Sequence, residues 1–230
     1  MGAIYLIRHG QASFDRDDYD ELSPLGVEQA RVVGAALRTR VPRVHAVYTG
    51  TQRRHRQTAE ACLAAYGYDG VPEESADFNE YDHDEIVVRY EPRYRDRGVM
   101  AAEIFQSGDP RRAFQEMFTR AVARWVSGQH DREYSESWAS FRARCLRGLD
   151  AVIGALDGSK TALVFTSGGP ISAIAQTLLR IPDADAFQLN WLLVNGGITK
   201  VIYGRRGRYV STLNDHAHFE GARSDLITYR

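Results

Sequence analysis

The chain has 230 residues, enough to bury a substantial core as one domain or as one domain carrying an insertion. Its 43% hydrophobic content and net charge of -1, with 29 basic residues against 30 acidic ones, exclude a disordered chain and a basic nucleic-acid footprint. No apolar run approaches the ~20 residues of a membrane span and no charged-then-apolar leader precedes the first strand, so the cytoplasm is the expected compartment.

Ala3 to Ile7 is a continuous apolar run, as expected for a strand buried on both faces of a sheet. It ends in Arg8, His9 and Gly10, with Gly10 expected to turn the backbone tightly. Arg8 and His9 then stand at a strand's carboxyl end, where open α/β sheets place their ligands. An imidazole is a competent nucleophile near neutral pH, and a guanidinium binds phosphate through a planar fork. The pair suggests attack on a phosphoryl group.

A polar loop rich in aspartate follows, from Phe14 to Glu21. Ser23 then reads as an N-cap and Pro24 as the first turn of a helix reaching about Arg40, with Gly34 an unfavourable residue in its interior. A short strand is expected from His45 to Tyr48, and a helix from about Gln52 to Tyr66 with Thr49 or Thr51 as cap. Arginines crowd the start of that helix (Arg53, Arg54, Arg56), which is unfavourable unless an anion neutralises them. Gly67 to Ser75 reads as a loop, and the acid-dense stretch around Glu80, Asp82 and Asp84 follows, with His83 beside it.

Beyond Glu85, Asp109 and Pro110 open a helix with Phe114, Met117, Phe118, Val122, Trp125 and Val126 as its apolar stripe, and a shorter helix covers about 101–107. Arg89, Arg93, Arg95 and Arg97 read as exposed charges or as contacts to an anionic substrate, and the sequence does not choose between the two. A long amphipathic helix runs from Trp138 to Leu156, and the most hydrophobic strand from Thr161 to Thr166. Ser167-Gly168-Gly169-Pro170 leads into another helix, with glycines that let backbone N–H groups approach a phosphate. Strands from Gly197 to Tyr203 and Arg208 to Leu213 form a hairpin. Cys62 and Cys145 both lie in helical patterns and read as free buried thiols.

The segment Leu6-Ile7-Arg8-His9-Gly10-Gln11-Ala12-Ser13 resembles the signature of the histidine phosphatase superfamily, in its phosphoglycerate-mutase-like branch. The segments Leu22 to Ala30, Arg54 with Thr58-Ala59, Glu80 with Asp82, and Asn214 to His218 resemble the family in the same order. The resemblance implies a three-layer α/β/α sandwich with a mainly parallel central sheet, in one domain with a helical insertion over about 81–136 that covers the active site. It implies that His9 is phosphorylated during turnover and that Glu80 protonates the leaving oxygen. Arg8, Arg54, Gln11, Ser13, Ser167 and Gly168 are then the phosphate-binding set. No cofactor and no metal is called for, although Asn214 to His218 carries two histidines.

One position departs from the pattern. The family ends its last core strand in a second histidine that contacts the transferring phosphoryl group, and this chain has Ser167 there. A serine hydroxyl donates a hydrogen bond but cannot carry an imidazolium's charge. None of the other histidines holds that strand-end position. The expected function is a phosphomonoesterase acting on a small phosphorylated substrate or a phosphoprotein. The alternatives are a phosphate- or phosphopeptide-binding module impaired by Ser167, and a phosphomutase, for which no residue identifies a retained substrate. Neither nucleic acid nor a membrane is an expected partner.

Overall fold

The computed structural model describes residues 1–13, 20–156 and 158–229. The aspartate-rich loop expected from Phe14 to Glu21 therefore lies outside the described residues except for its last two.

Among the described residues the sheet has six strands, β1 (Gly2–Arg8), β2 (Ala46–Thr49), β3 (Glu73–Glu74), β4 (Thr161–Thr166), β5 (Ile198–Gly204) and β6 (Gly207–Asp215), in the order β3-β2-β4-β1-β5-β6. β1, β2, β3 and β4 are mutually parallel, and β5 runs against β1. β1 and β4 are central, which explains their continuous apolar sequences: Ile4, Leu6, Ile7, Ala162, Leu163, Val164 and Phe165 are all fully buried.

Alternation along these strands feeds two cores. Ile4, Leu6, Ala162 and Val164 pack on one face with the apolar sides of α5 (Pro110–Val126), α6 (Trp138–Ala155) and α7 (Gly168–Leu179). Ile7, Leu163 and Phe165 pack on the other with α1 (Pro24–Arg40) and α2 (Arg53–Tyr66). The result is an α/β/α sandwich with a mostly parallel sheet.

The unfavourable Gly34 has a packing reason. A Cβ there would lie 2.1 Å from the carbonyl oxygen of Cys62, so glycine lets α1 and α2 approach closely. Gly10 has a packing reason as well: a Cβ there would lie 2.3 Å from the Gly26 carbonyl oxygen, so glycine permits contact between two backbones, and its φ is not positive. The short elements were missed: β3 inside the expected loop, α3 (His83–Tyr90) in the acidic stretch, and α8 (Ala186–Leu192) after α7. The helix expected over about 101–107 starts earlier, as α4 (Arg97–Gln106), because Asp96 caps it by accepting from Gly98 N–H.

Candidate functional site

The site forms at the carboxyl ends of β1, β2 and β4. Parallel register sets Arg8 opposite Thr166, and the His9 N–H donates to the Thr166 carbonyl at 2.8 Å. His9 and Ser167 therefore leave adjacent strands side by side. The loop before β5 closes the site from beneath: Asn195 Nδ2 donates to the His9 carbonyl at 3.2 Å, and Arg8 donates to the Leu193 and Tyr229 carbonyls. Gly10 N–H donates to Thr58 Oγ1 at 3.1 Å, tying this loop to α2.

His9 is 7% exposed and its Nδ1 lies 2.7 Å from the Gly10 carbonyl oxygen. A carbonyl only accepts, so Nδ1 carries the ring proton and Nε2 is left with its lone pair. Burial holds the His9 pKa well below its usual value, and the charges of Arg54 and Arg8 push the same way. The ring is neutral at physiological pH, the form in which an imidazole can act as a nucleophile.

Arg54, 5% exposed, donates from Nη1 to Asp20 Oδ1 at 2.6 Å and from Nη2 to Gln52 Oε1 at 3.0 Å. The start of α2 is not capped by Thr49 or Thr51 as expected. Gln52 is the N-cap and makes no side-chain cap bond, while Asp20 Oδ2 accepts from the Arg53 N–H at 2.7 Å. The anion that this arginine-rich helix start requires is thus the Asp20 carboxylate.

Glu80 reaches the same place from the segment between β3 and α3. Its Oε2 accepts from the Gly169 N–H at 3.2 Å, and its own N–H donates to Gln52 Oε1 at 3.0 Å. A Cβ at Gly169 would lie 2.0 Å from Glu80 Oε1, so glycine makes room for this carboxyl group. The Gly169 amide, expected to face a phosphate, serves Glu80 instead. Burial raises the Glu80 pKa, opposed by Arg54 and by the Gly169 hydrogen bond. The backbone behind it is pinned by Arg144 of α6, whose Nη1 donates to the carbonyls of Ala76, Asp77 and Asn79 at 2.9–3.1 Å. Asp82 caps α3 through the Glu85 N–H at 2.9 Å.

Arg8, His9, Arg54 and Glu80 line one cavity of about 1250 Å³. Its outer wall comes from the helices between β3 and α6 and includes His83, Val87, Tyr94, Arg95, Met100 and Phe118. Arg97, also on this wall, pairs with Asp84 at 2.7 Å. Four other expected site residues stand outside the lining. Gln11 accepts from Ser23 Oγ at 3.0 Å, Ser13 bonds backbone to backbone with Glu21, and Gly168 packs beside Asn190. Ser167 is fully buried, and its Oγ lies 2.6 Å from Nε2 of His55 on α2. The sequence reading passed over His55 and Asp20. Adjacency of His55 to Arg54 was the available signal for the first, and the anion demand of α2 for the second. The two C-terminal histidines are structural: His216 Nδ1 lies 2.7 Å from the Asn214 carbonyl and His218 Nε2 3.2 Å from the Gly196 carbonyl.

Solved structures with this fold include phosphoglycerate mutase from Bacillus anthracis, with 18% identity, a TM-score of 0.65, and 97% of this chain and 96% of that one covered. Phosphoserine phosphatase from Entamoeba histolytica, in complex with 3-phosphoglyceric acid, has 18% identity, a TM-score of 0.65 and coverage of 95% and 99%. A putative alpha-ribazole-5'-P phosphatase from Escherichia coli has 17% identity, a TM-score of 0.63 and coverage of 94% and 98%. No curated protein matches the chain. The family model of the histidine phosphatase superfamily (branch 1) matches residues 4–96 and 84–216, and the chain belongs to that family.

Proposed function

We propose that the protein is a phosphomonoesterase working through a phosphohistidine on His9. The observation that carries this reading is the state of His9. It is a neutral ring with its proton fixed on Nδ1 by the Gly10 carbonyl, lining a cavity with two arginines and a half-buried carboxyl group. In the first step the Nε2 lone pair forms a bond to phosphorus as the phosphorus–oxygen ester bond breaks. The departing oxygen takes the bonding electrons and the proton of Glu80. In the second step water attacks phosphorus, Glu80 takes the water's proton, and the nitrogen–phosphorus bond breaks to regenerate neutral His9. Arg8 and Arg54 balance charge on the equatorial oxygens in both steps.

The cavity favours hydrolysis over a mutase reaction. A mutase must hold a dephosphorylated intermediate for return of the phosphoryl group, and about 1250 Å³ walled by Val87, Tyr94, Met100 and Phe118 accommodates a bulky, partly apolar organic phosphate. A second reading, a phosphate-binding module, draws on Asp20 filling the Arg54 fork and on the uncharged Ser167. Phosphate release from an aryl phosphate separates the two. Turnover in the parent that disappears in His9→Ala supports the enzyme, and turnover surviving in His9→Ala rules the phosphohistidine out.

A further inference from the structure

Four aromatic rings follow one another along one wall of the cavity that holds His9 and Glu80. Tyr81 lies 4.3 Å from the His83 ring, His83 lies 5.9 Å from Phe118, and Phe118 lies 5.8 Å from Phe114, centroid to centroid. All four line that cavity. The last pair stacks at an interplanar angle of 10°, as side chains four apart on one face of α5 can do.

The strip is held from behind and left partly open in front. Tyr81 is wedged among Trp125, Phe141 and Phe187 at 5.1–5.6 Å, and Phe118 meets Trp191 of α8 at 5.9 Å with the rings perpendicular. Close packing of this kind fixes the rings in single orientations. His83 and Phe114 are only half-buried, so the strip still presents ring surface for a ligand to cover.

The strip begins at the residue that handles the leaving group. A Cβ at Gly169 would lie 2.0 Å from Glu80 Oε1 and 2.9 Å from the Tyr81 ring, so the carboxyl group and the first ring abut the same glycine. A leaving oxygen placed at Glu80 therefore has Tyr81 beside it, with His83 opening α3 two residues further on.

Resting on the phosphomonoesterase reading above, we propose that Tyr81, His83, Phe118 and Phe114 form a leaving-group subsite that selects monoesters carrying a flat aromatic ring. Such a ring gains ring–ring attraction beyond the area it buries, which a saturated ring of equal size does not. Because the core already holds the strip in place, little side-chain freedom is lost on binding.

Benzylphosphonate and cyclohexylmethylphosphonate test this without turnover, since they match in charge and closely in size and differ in the aromatic face. Titration calorimetry of the parent is expected to give a Kd about three- to tenfold lower for the benzyl compound. Phe114→Leu and His83→Leu each keep apolar volume and remove one ring, and each should bring that ratio towards one. Melting temperatures identify a variant that fails to fold, and the other then carries the comparison. Equal affinity for the two phosphonates in the parent overturns the proposal, as does binding of neither at concentrations that hold inorganic phosphate, or a preference that survives in both folded variants. In turnover, benzyl phosphate, cyclohexylmethyl phosphate and a nucleoside 5'-monophosphate all release a primary alcohol, so the chemistry of the leaving oxygen is held constant. Whichever aromatic ester has the higher kcat/KM tells a simple aryl group from a nucleobase, and cyclohexylmethyl phosphate ahead of both overturns the subsite. Failure of the enzyme reading looks different: no ester would be hydrolysed, while the phosphonate ratio would still decide the role of the strip.

Discussion

Asp20 closes on the Arg54 guanidinium at 2.6 Å and on the Arg53 N–H at 2.7 Å, so the anion-binding corner of the site already holds a carboxylate. A phosphate that uses Arg54 must displace Asp20 or share the guanidinium with it. The Asp20 side chain is 35% exposed, and solvent screens part of the attraction.

Asp20→Asn is therefore expected to tighten inorganic phosphate binding and lower KM for an aryl phosphate by about three- to tenfold, with kcat little changed. The same variant weakens the cap of α2 and should cost roughly 1 kcal/mol of stability. Isothermal titration with phosphate and a melting curve check the two effects separately. A KM that rises would mean that Asp20 orients Arg54 for the substrate instead of competing with it.

Glu80 makes the pH dependence specific. Burial raises its pKa, so it holds its proton to higher pH than an ordinary glutamate, and under the proposed mechanism activity should decline as pH rises through that value. His9, with a lowered pKa, stays unprotonated on the acid side. The optimum is expected below neutrality. Glu80→Gln should lower kcat on an alkyl phosphate by roughly 10²–10⁴-fold, much less on a nitrophenyl ester whose leaving group needs no proton, and should flatten the alkaline limb. Comparing the two profiles on one substrate cancels the substrate's own ionisation.

Much of this site was legible because its signals are local. The apolar run ending in Arg8-His9 and the Arg54 spacing to Thr58 are each read within a few residues, whereas the glycine pair at the start of α7 was read for a phosphate and instead makes room for Glu80. Contacts set by topology were not. His55 meets Ser167 across 112 positions, and only the parallel pairing of β2 with β4 brings α2 and the end of β4 together. The close approach of Gly10 to Gly26 was not legible either, because Gly26 lies on a helix whose packing the sequence does not show. β3 and α8 were missed because elements of two and seven residues carry too little periodicity to stand out.

Arg144 ties the scaffold to Glu80. Its Nε and Nη2 pair with the two Glu136 oxygens at 2.7 and 2.8 Å, and its Nη1 serves three carbonyls of the 76–79 segment. Arg144→Ala leaves those carbonyls and Glu136 without this donor, at an expected cost of roughly 2–3 kcal/mol. It should also lower kcat more than it raises KM, since the segment that aims Glu80 is loosened while Arg8 and Arg54 remain. Arg144→Lys cannot reproduce the fork and should recover little of either. Denaturant melts beside steady-state kinetics check both halves.

Buried neutral histidines should make the fold acid-sensitive. His9 and His55 have pKa values well below 6.5, and burial pushes His218 down to about 4. In the unfolded chain each imidazole takes up a proton as pH falls through its ordinary value of about 6.5, while the folded chain leaves it neutral. By linkage the unfolded state binds more protons, so stability is full above that pH and is lost as pH falls towards the folded pKa. Glu80 acts in the opposite sense, since its raised pKa lets the folded state hold a proton that the unfolded state has released, and it offsets part of the slope. For His218 the loss is on the order of 2 kcal/mol once its partial exposure is discounted. Melting temperature is therefore expected to fall steadily from pH 7 to about 4.5. His218→Gln, which keeps a donor for the Gly196 carbonyl but does not titrate, should show a shallower fall. An identical slope in that variant would place the acid sensitivity at His9 and His55 alone, and His55→Gln would then carry the difference.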